Sequence, residues 1–411
     1  MKAIFAACAA FFASTFAIAQ DSAWIEQKTT ADDGTDNTYF GTSAFVDGGL
    51  AVIGAYGDNN FRGAAYVMKK AGGVWSQSQK IVADDGLGGD EFGYRTTVVD
   101  GRLFVTAFTA TVGGNTSQGA AYVFEADQTG WNQVQKLVAD DGAIFDNFGQ
   151  SVAVDGSTAV IGANGATIDG EGAQGAAYVF VRSGSGWSQL QKLVADDGDT
   201  VDNFGVSAAI KDATIFIGSP YAAVDGHANQ GAVYVYTQSG ATWNQVQKIS
   251  GSDGGTNDSF GMSMAFDGTT LIVGATGTDG HGAAYVFTQS GGAWTELQKL
   301  VADDAGSGDN FGDAIAMRGS DVLIAADVST VDGDTSRGAG YLFTDIGGTW
   351  VQSHKFVASD GTVDDFLGAA VAFDGDTAVL SSPHPVIDGH SWQGAVYFYS
   401  RDTLFADGFD G

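Results

Sequence analysis

The side chains best placed to do chemistry are carboxylates in a repeated loop. Four copies of an Asp pair followed by a third Asp stand at Asp84, Asp85 and Asp90; Asp140, Asp141 and Asp146; Asp196, Asp197 and Asp202; and Asp303, Asp304 and Asp309. Clustered carboxylates can chelate a hard cation, and calcium is the ion they would admit, although the pattern requires no cofactor. The same residues favour turns, because an Asp side chain accepts hydrogen bonds from backbone N–H groups a few positions away. The sequence leaves both readings open. A Lys stands four residues ahead of each pair, as Lys80, Lys136 and Lys192 do. It is expected to neutralise that pair in a surface contact worth about 0–1 kcal/mol.

A second set of candidates lies in longer loops, among them residues 164–174, 220–230 and 383–393, each 11 residues long. An Asp-Gly turn recurs there at Asp169, Asp225, Asp279, Asp332 and Asp388, with His227, His281 and His390 following it in three copies. Histidines in equivalent loops would ligate a metal if the loop tips met, and would otherwise be solvated turn residues. Trp392 stands outside the spacing of every other Trp, where the equivalent loops carry Ser117, Ala173, Asn229 and Ser336. With His384, His390 and Tyr221 it makes a candidate aromatic ligand-binding patch; the competing reading folds it onto its own loop. No Gly-x-Ser-x-Gly element and no paired-His metal motif is present.

What must position these loops is a repeat. Trp24, Trp75, Trp131, Trp187, Trp243, Trp294 and Trp350 recur at steps of 51 or 56 residues. A Phe-Gly pair keeps step at Phe40, Phe92, Phe148, Phe204, Phe260 and Phe311, and the seventh reads Phe366-Leu367-Gly368, as if one residue were inserted. The third unit resolves into four β-prone runs at 148–154, 158–163, 175–181 and 187–194, separated by Gly and Asp turns. Such a unit predicts a four-stranded antiparallel blade. The chain opens with a fourth-run pattern at 24–28 and its last unit stops after a third run at 394–399. The expected fold is therefore all-β: a seven-bladed β-propeller, four antiparallel strands per blade, its ring closed by the N-terminal strand completing the last blade.

The Phe-Gly that opens each unit, the IGA, IGSP or VGA of the second run and the GAAYVF of the third resemble the FG-GAP repeats of integrin α-subunit propellers and their bacterial relatives. The resemblance covers nearly the whole chain after the leader, and it implies extracellular recognition or adhesion. Gly218-Ser219-Pro220 and Ser381-Ser382-Pro383 come closest to the family's Gly-Ala-Pro element. The family's usual calcium loop does not carry over. Its place holds only short turns such as Asp155-Gly156-Ser157, Asp267-Gly268-Thr269 and Asp374-Gly375-Asp376, too few ligands for the ion.

Composition bounds the rest. Asp and Glu outnumber Lys and Arg 49 to 18, giving a formal net charge of −31, so nucleic acid and anionic lipid are excluded as partners. Lys2, an apolar stretch over residues 3–12 and Ala17-Ile18-Ala19 predict a signal peptide at 1–19. A propeller at 20–400 and a short tail at 401–411 are expected to follow. Cys8, the single cysteine, falls in the leader, which leaves the exported chain without disulfides. Export to the cell surface or medium, a monomer and no transmembrane segment complete the expectation. Two functions fit: a non-catalytic binding or adhesion propeller recognising a protein or glycan through loops on one face, and a cation-dependent hydrolase of a polysaccharide or phosphoester.

Overall fold

The computed structural model describes residues 24–401. The expected signal peptide, Cys8 and the tail beyond Arg401 lie outside these residues. Seven four-stranded antiparallel sheets follow one another around a ring, with strands in sequence order from the axis outward in blades one to six. Blade three shows the plan in its strands Phe148–Asp155, Thr158–Ala163, Ala176–Ser183 and Gly186–Leu193. The middle two strands are buried on both faces, because each blade packs between two others. Blade seven takes its outermost strand, Trp24–Thr29, from the start of the described chain, which pairs with Ala395–Arg401. Arg401, assigned to the tail by sequence, ends that strand and stacks over Trp24 at 5.1 Å.

The outer strands explain why their polar residues recur. Gln135 of blade two donates from Nε2 to the carbonyl of Trp187 in blade three at 2.7 Å, and accepts the Trp187 N–H at 2.8 Å. Gln79, Gln191, Gln247 and Gln298 clamp the next blade's Trp backbone in the same way. At the closing seam Gln27 holds Trp75 with bonds of 2.6 and 2.8 Å. An edge strand's free backbone groups are thus satisfied sideways by a neighbouring blade's side chain.

Phe-Gly fastens blades nearer the axis. Phe148 is fully buried and meets Tyr178 and Phe180 of its own blade edge-on at 5.6 and 5.9 Å. Its N–H donates to the carbonyl of Gln118 in the preceding blade at 2.8 Å. The same arrangement corrects the reading of the seventh unit. Leu367, not Phe366, bridges to Gly338 as Phe204 does to Gly175, and its N–H donates to Arg337 O. No residue is inserted: Leu367 replaces the buried Phe, and Phe366 takes the preceding position, which Asn147, Asn203 and Asn310 fill elsewhere.

Candidate functional site

The loop that enters each blade and the loop joining the second and third strands of the preceding blade lie side by side on one face, joined by backbone bonds such as Phe145 N–H to Thr116 O and Asn147 N–H to Ser117 O, both 3.0 Å. Within the entering loop the three acids do three different things. Asp84, Asp140, Asp196 and Asp303 are exposed, and their backbone N–H groups donate to Gln133, Gln189, Gln245 and Gln352. The third acids, Asp90, Asp146, Asp202 and Asp309, are buried and accept the N–H three residues back at 2.6–2.9 Å. Burial raises the carboxyls of Asp146 and Asp202 above the ordinary range, against the pull of those N–H bonds.

The second acids bind the blade that the loop enters. Asp141 accepts from Tyr178 Oη at 2.9 Å and from Lys192 Nζ at 2.8 Å. Asp85 does so from Tyr122 and Lys136, while Lys248 and Lys355 reach Asp197 and Asp304. The pairing expected from sequence, each Lys with the acids that follow it, is corrected here. Each Lys meets the acid of the preceding loop, because that loop crosses above the strand carrying the Lys. Among the described residues no group of three or more His, Cys, Asp or Glu side chains converges as a metal cage would require.

Asp225 and Asp388 serve tight turns, with φ of 52° and 52°, each followed by a positive-φ Gly. Both residues fit the mirror-image turn that Asp-Gly favours. His227 and His390 close those turns by bonding back to Val224 and Ile387, and His281 Nδ1 lies 2.8 Å from Gly282 O. The three histidines sit in blades four, five and seven, and Tyr221, 39% exposed, lies in blade four. Tyr221 is therefore placed three blades away from Trp392.

What the fold does assemble around Trp392 is an array of rings at the seam between blades seven and one. Trp392 is 49% exposed and stacks on Tyr39 at 5.9 Å and 25°. Tyr39 in turn stacks on Tyr56 at 4.9 Å and 11°, and meets His384 edge-on at 5.8 Å and Phe61 at 6.2 Å. Phe366 closes on His384 at 4.7 Å. The loops are tied beneath the rings by Tyr39 N–H to Trp392 O at 2.9 Å and Ser391 N–H to Asp36 at 2.9 Å, with His390 3.4 Å from the same carboxylate.

Trp392, Tyr39, Phe61 and Phe366 all hold left-handed backbone, with φ of 54°, 52°, 58° and 55°. Bulky residues rarely adopt that region, at a cost of order 1–2 kcal/mol each. Other blades place Asn, Ser, Ala or Glu at the positions of Trp392, Tyr39 and Phe366, so the architecture does not demand rings there. Burial lowers the His384 imidazole, outweighing Asp364 and Asp365, so it stays neutral to lower pH than an ordinary His. Burial also pushes the Tyr56 phenol up to about 12, aided by Tyr39, Glu91 and Tyr94. The array offers flat apolar surface with polar edges and no activated nucleophile. Sequence reading found Trp392 and His384 but missed Tyr39, Tyr56, Phe61 and Phe366. The Tyr39 and Phe366 departures were visible once the units were aligned on the residue before Phe-Gly.

Ring closure and four-stranded blades define a closed seven-bladed propeller with the entering loops and the second-to-third-strand loops gathered on one face. The FG-GAP repeat model matches seven times, at residues 24–68, 75–124, 131–180, 187–236, 243–287, 294–343 and 350–399, and the chain belongs to that family. Comparison with curated proteins gives no match. Among the described residues no helix is long and apolar enough to cross a membrane.

Proposed function

We propose that this is an exported, non-catalytic binding or adhesion propeller that recognises an extracellular protein or glycan through its loop face, with the seam of blades seven and one as contact surface. One observation carries the reading: an exposed Trp392 held at a strained φ of 54° on a stack of rings that other blades lack. Strain of this kind persists where function retains it, and Trp and Tyr are enriched among the few residues that carry most of the binding energy at recognition surfaces. Family membership and the leader read from residues 1–19 support an extracellular setting. The second and third acids of each loop are committed to Lys, Tyr and turn N–H groups, and the exposed first acids join no metal-holding group among the described residues, so no observation favours the hydrolytic reading.

Orientation tests the face. With Cys8 removed in the leader, a single engineered cysteine permits site-specific biotin. A chain tethered through Ser185→Cys, on the opposite face, is expected to capture ligand from arrays of glycans and extracellular proteins. One tethered through Ser391→Cys should capture none. Equal capture by both would overturn the assignment.

A further inference from the structure

The innermost strands of all seven blades enclose an axial channel of about 350 Å³. That volume is at the lower end of the roughly 300–1,000 Å³ typical of small-molecule sites. Its wall is sorted by chemistry. Blades two and three contribute Tyr94, Arg95 and Gln150, blade six contributes Asp313, and blades four and five between them contribute Val206, Met262 and Met264, with the Ser207 and Ser263 hydroxyls spent on the carbonyls of Gly261 and Gly312.

Both charged groups are placed but uncommitted. The Arg95 guanidinium lies 4.3 Å over the Tyr94 ring and spends one N–H on Tyr94 O at 3.1 Å. Tyr94 is itself held, packed on Phe108 at 4.0 Å, with its hydroxyl taking a bond from Gln150 Nε2 at 3.2 Å. The remaining guanidinium donors have no acceptor among the described residues. Asp313's carboxyl accepts no bond from a described residue, and burial raises it even against the attraction of Arg95. Neighbouring Asp327 is raised by burial and by Asp313, and among the described residues neither carboxyl has a cationic side chain in an ion pair with it. Arg95 and Asp313 attract one another across the channel without meeting in an ion pair.

We propose that the channel binds a small zwitterion of the amino-acid class, its carboxylate on Arg95, its ammonium on Asp313 and an apolar side chain against Val206, Met262 and Met264. The guanidinium fork matches a carboxylate with two parallel bonds. An ammonium supplies the cation that the two carboxyls lack. Either charge alone would leave the opposite wall of the channel unmatched. A net charge of −31 also opposes entry of a lone anion, whereas a zwitterion carries no net charge.

Calorimetric titration of the exported chain with leucine and methionine tests this, alongside leucinamide, which lacks the carboxylate, and 4-methylpentanoate, which lacks the ammonium. Saturable binding of the amino acids is expected, at least tenfold tighter than of either analogue. Arg95→Gln should bring leucine down to the level of leucinamide, and Asp313→Asn to that of 4-methylpentanoate, with unchanged melting profiles showing that the ring is intact. Absence of binding at 10 mM amino acid overturns the proposal. So does binding indifferent to both substitutions, or a carboxylate that binds as well as the zwitterion.

Discussion

Ser151 and Gly162 face one another across the first two strands of blade three, and each residue requires the other. Ser151 Oγ donates to Gly205 O in the next blade at 2.9 Å. A methyl group on Gly162 would stand 2.5 Å from that hydroxyl and 2.0 Å from the Gly205 carbonyl. Ser43 with Gly54, Ser207 with Gly218 and Ser263 with Gly274 repeat the pair. Where the Ser is missing, the Gly is too: Arg95 faces Thr106, Ala314 faces Ala325 and Ala370 faces Ser381.

Gly162→Ala is therefore expected to cost about 2–4 kcal/mol, from overpacking and a broken inter-blade bond. Adding Ser151→Ala should recover part of that loss, because it recreates the Ala-Ala pair of blade six. Thermal unfolding of the single and double variants checks this. Strict additivity would contradict it.

Acid should reveal the loop anchors. Burial pulls upward on Asp33, Asp85, Asp141, Asp197, Asp253, Asp304 and Asp360, yet bonds from Lys and Tyr outweigh it and hold all seven carboxyls below their ordinary range. Unfolded Asp titrates near ~3.9, so their stabilisation is complete above that pH and is lost as pH falls through the lower folded values. Asp146, Asp202 and Asp365 are raised by burial and work oppositely: their folded carboxyls keep protons longer, so stability declines as pH rises through the folded values. The melting temperature should hold or rise slightly from pH 7 to about 5 and fall steeply below about 4. Asp141→Asn should flatten the acid limb. A melting temperature that falls continuously from pH 7 would contradict the assignment.

Three side chains of the closing strand reinforce its backbone pairing with Ala395–Arg401. Gln27 clamps Trp75, Lys28 reaches Asp360 at 2.6 Å, and Glu26 accepts from Ser359. Gln27→Ala removes two partly buried hydrogen bonds, each worth about 0.5–1.5 kcal/mol. The Lys28–Asp360 pair is half exposed, and Lys28→Ala should cost under about 1 kcal/mol. A larger loss from Lys28→Ala than from Gln27→Ala in denaturant titrations would reverse this ranking.

Millimolar calcium is expected to leave the melting temperature unchanged. A ligand that bound only the folded chain would have to raise it, and among the described residues the acids of the entering loops do not gather into a cage. A saturable rise would contradict the turn-and-anchor role given to them.

Periodicity made the propeller and its closure legible, since Trp and Phe-Gly mark inter-blade contacts that every unit must make. The direction of the loop anchors was not legible. A Lys and an acid four residues apart look like partners in sequence, whereas the crossing loop hands each Lys the acid of the loop before it. The seam array was half hidden for a related reason. Tyr39 and Trp392 are 353 positions apart by their numbering and become neighbours only when the ring closes. Phe366 disguised itself by standing beside the Leu that had taken the Phe position.

The seam rings form the proposed contact surface, and one double substitution addresses them: Trp392→Asn with Tyr39→Asn, the residues that blades four and three use at those positions. Asn tolerates positive φ better than an aromatic residue, so the variant should lose no more than about 1 kcal/mol of stability relative to the parent. Binding to whichever protein or glycan the parent captures should fall at least a hundredfold. Undiminished binding by a folded variant would contradict the claim that this seam is the recognition surface.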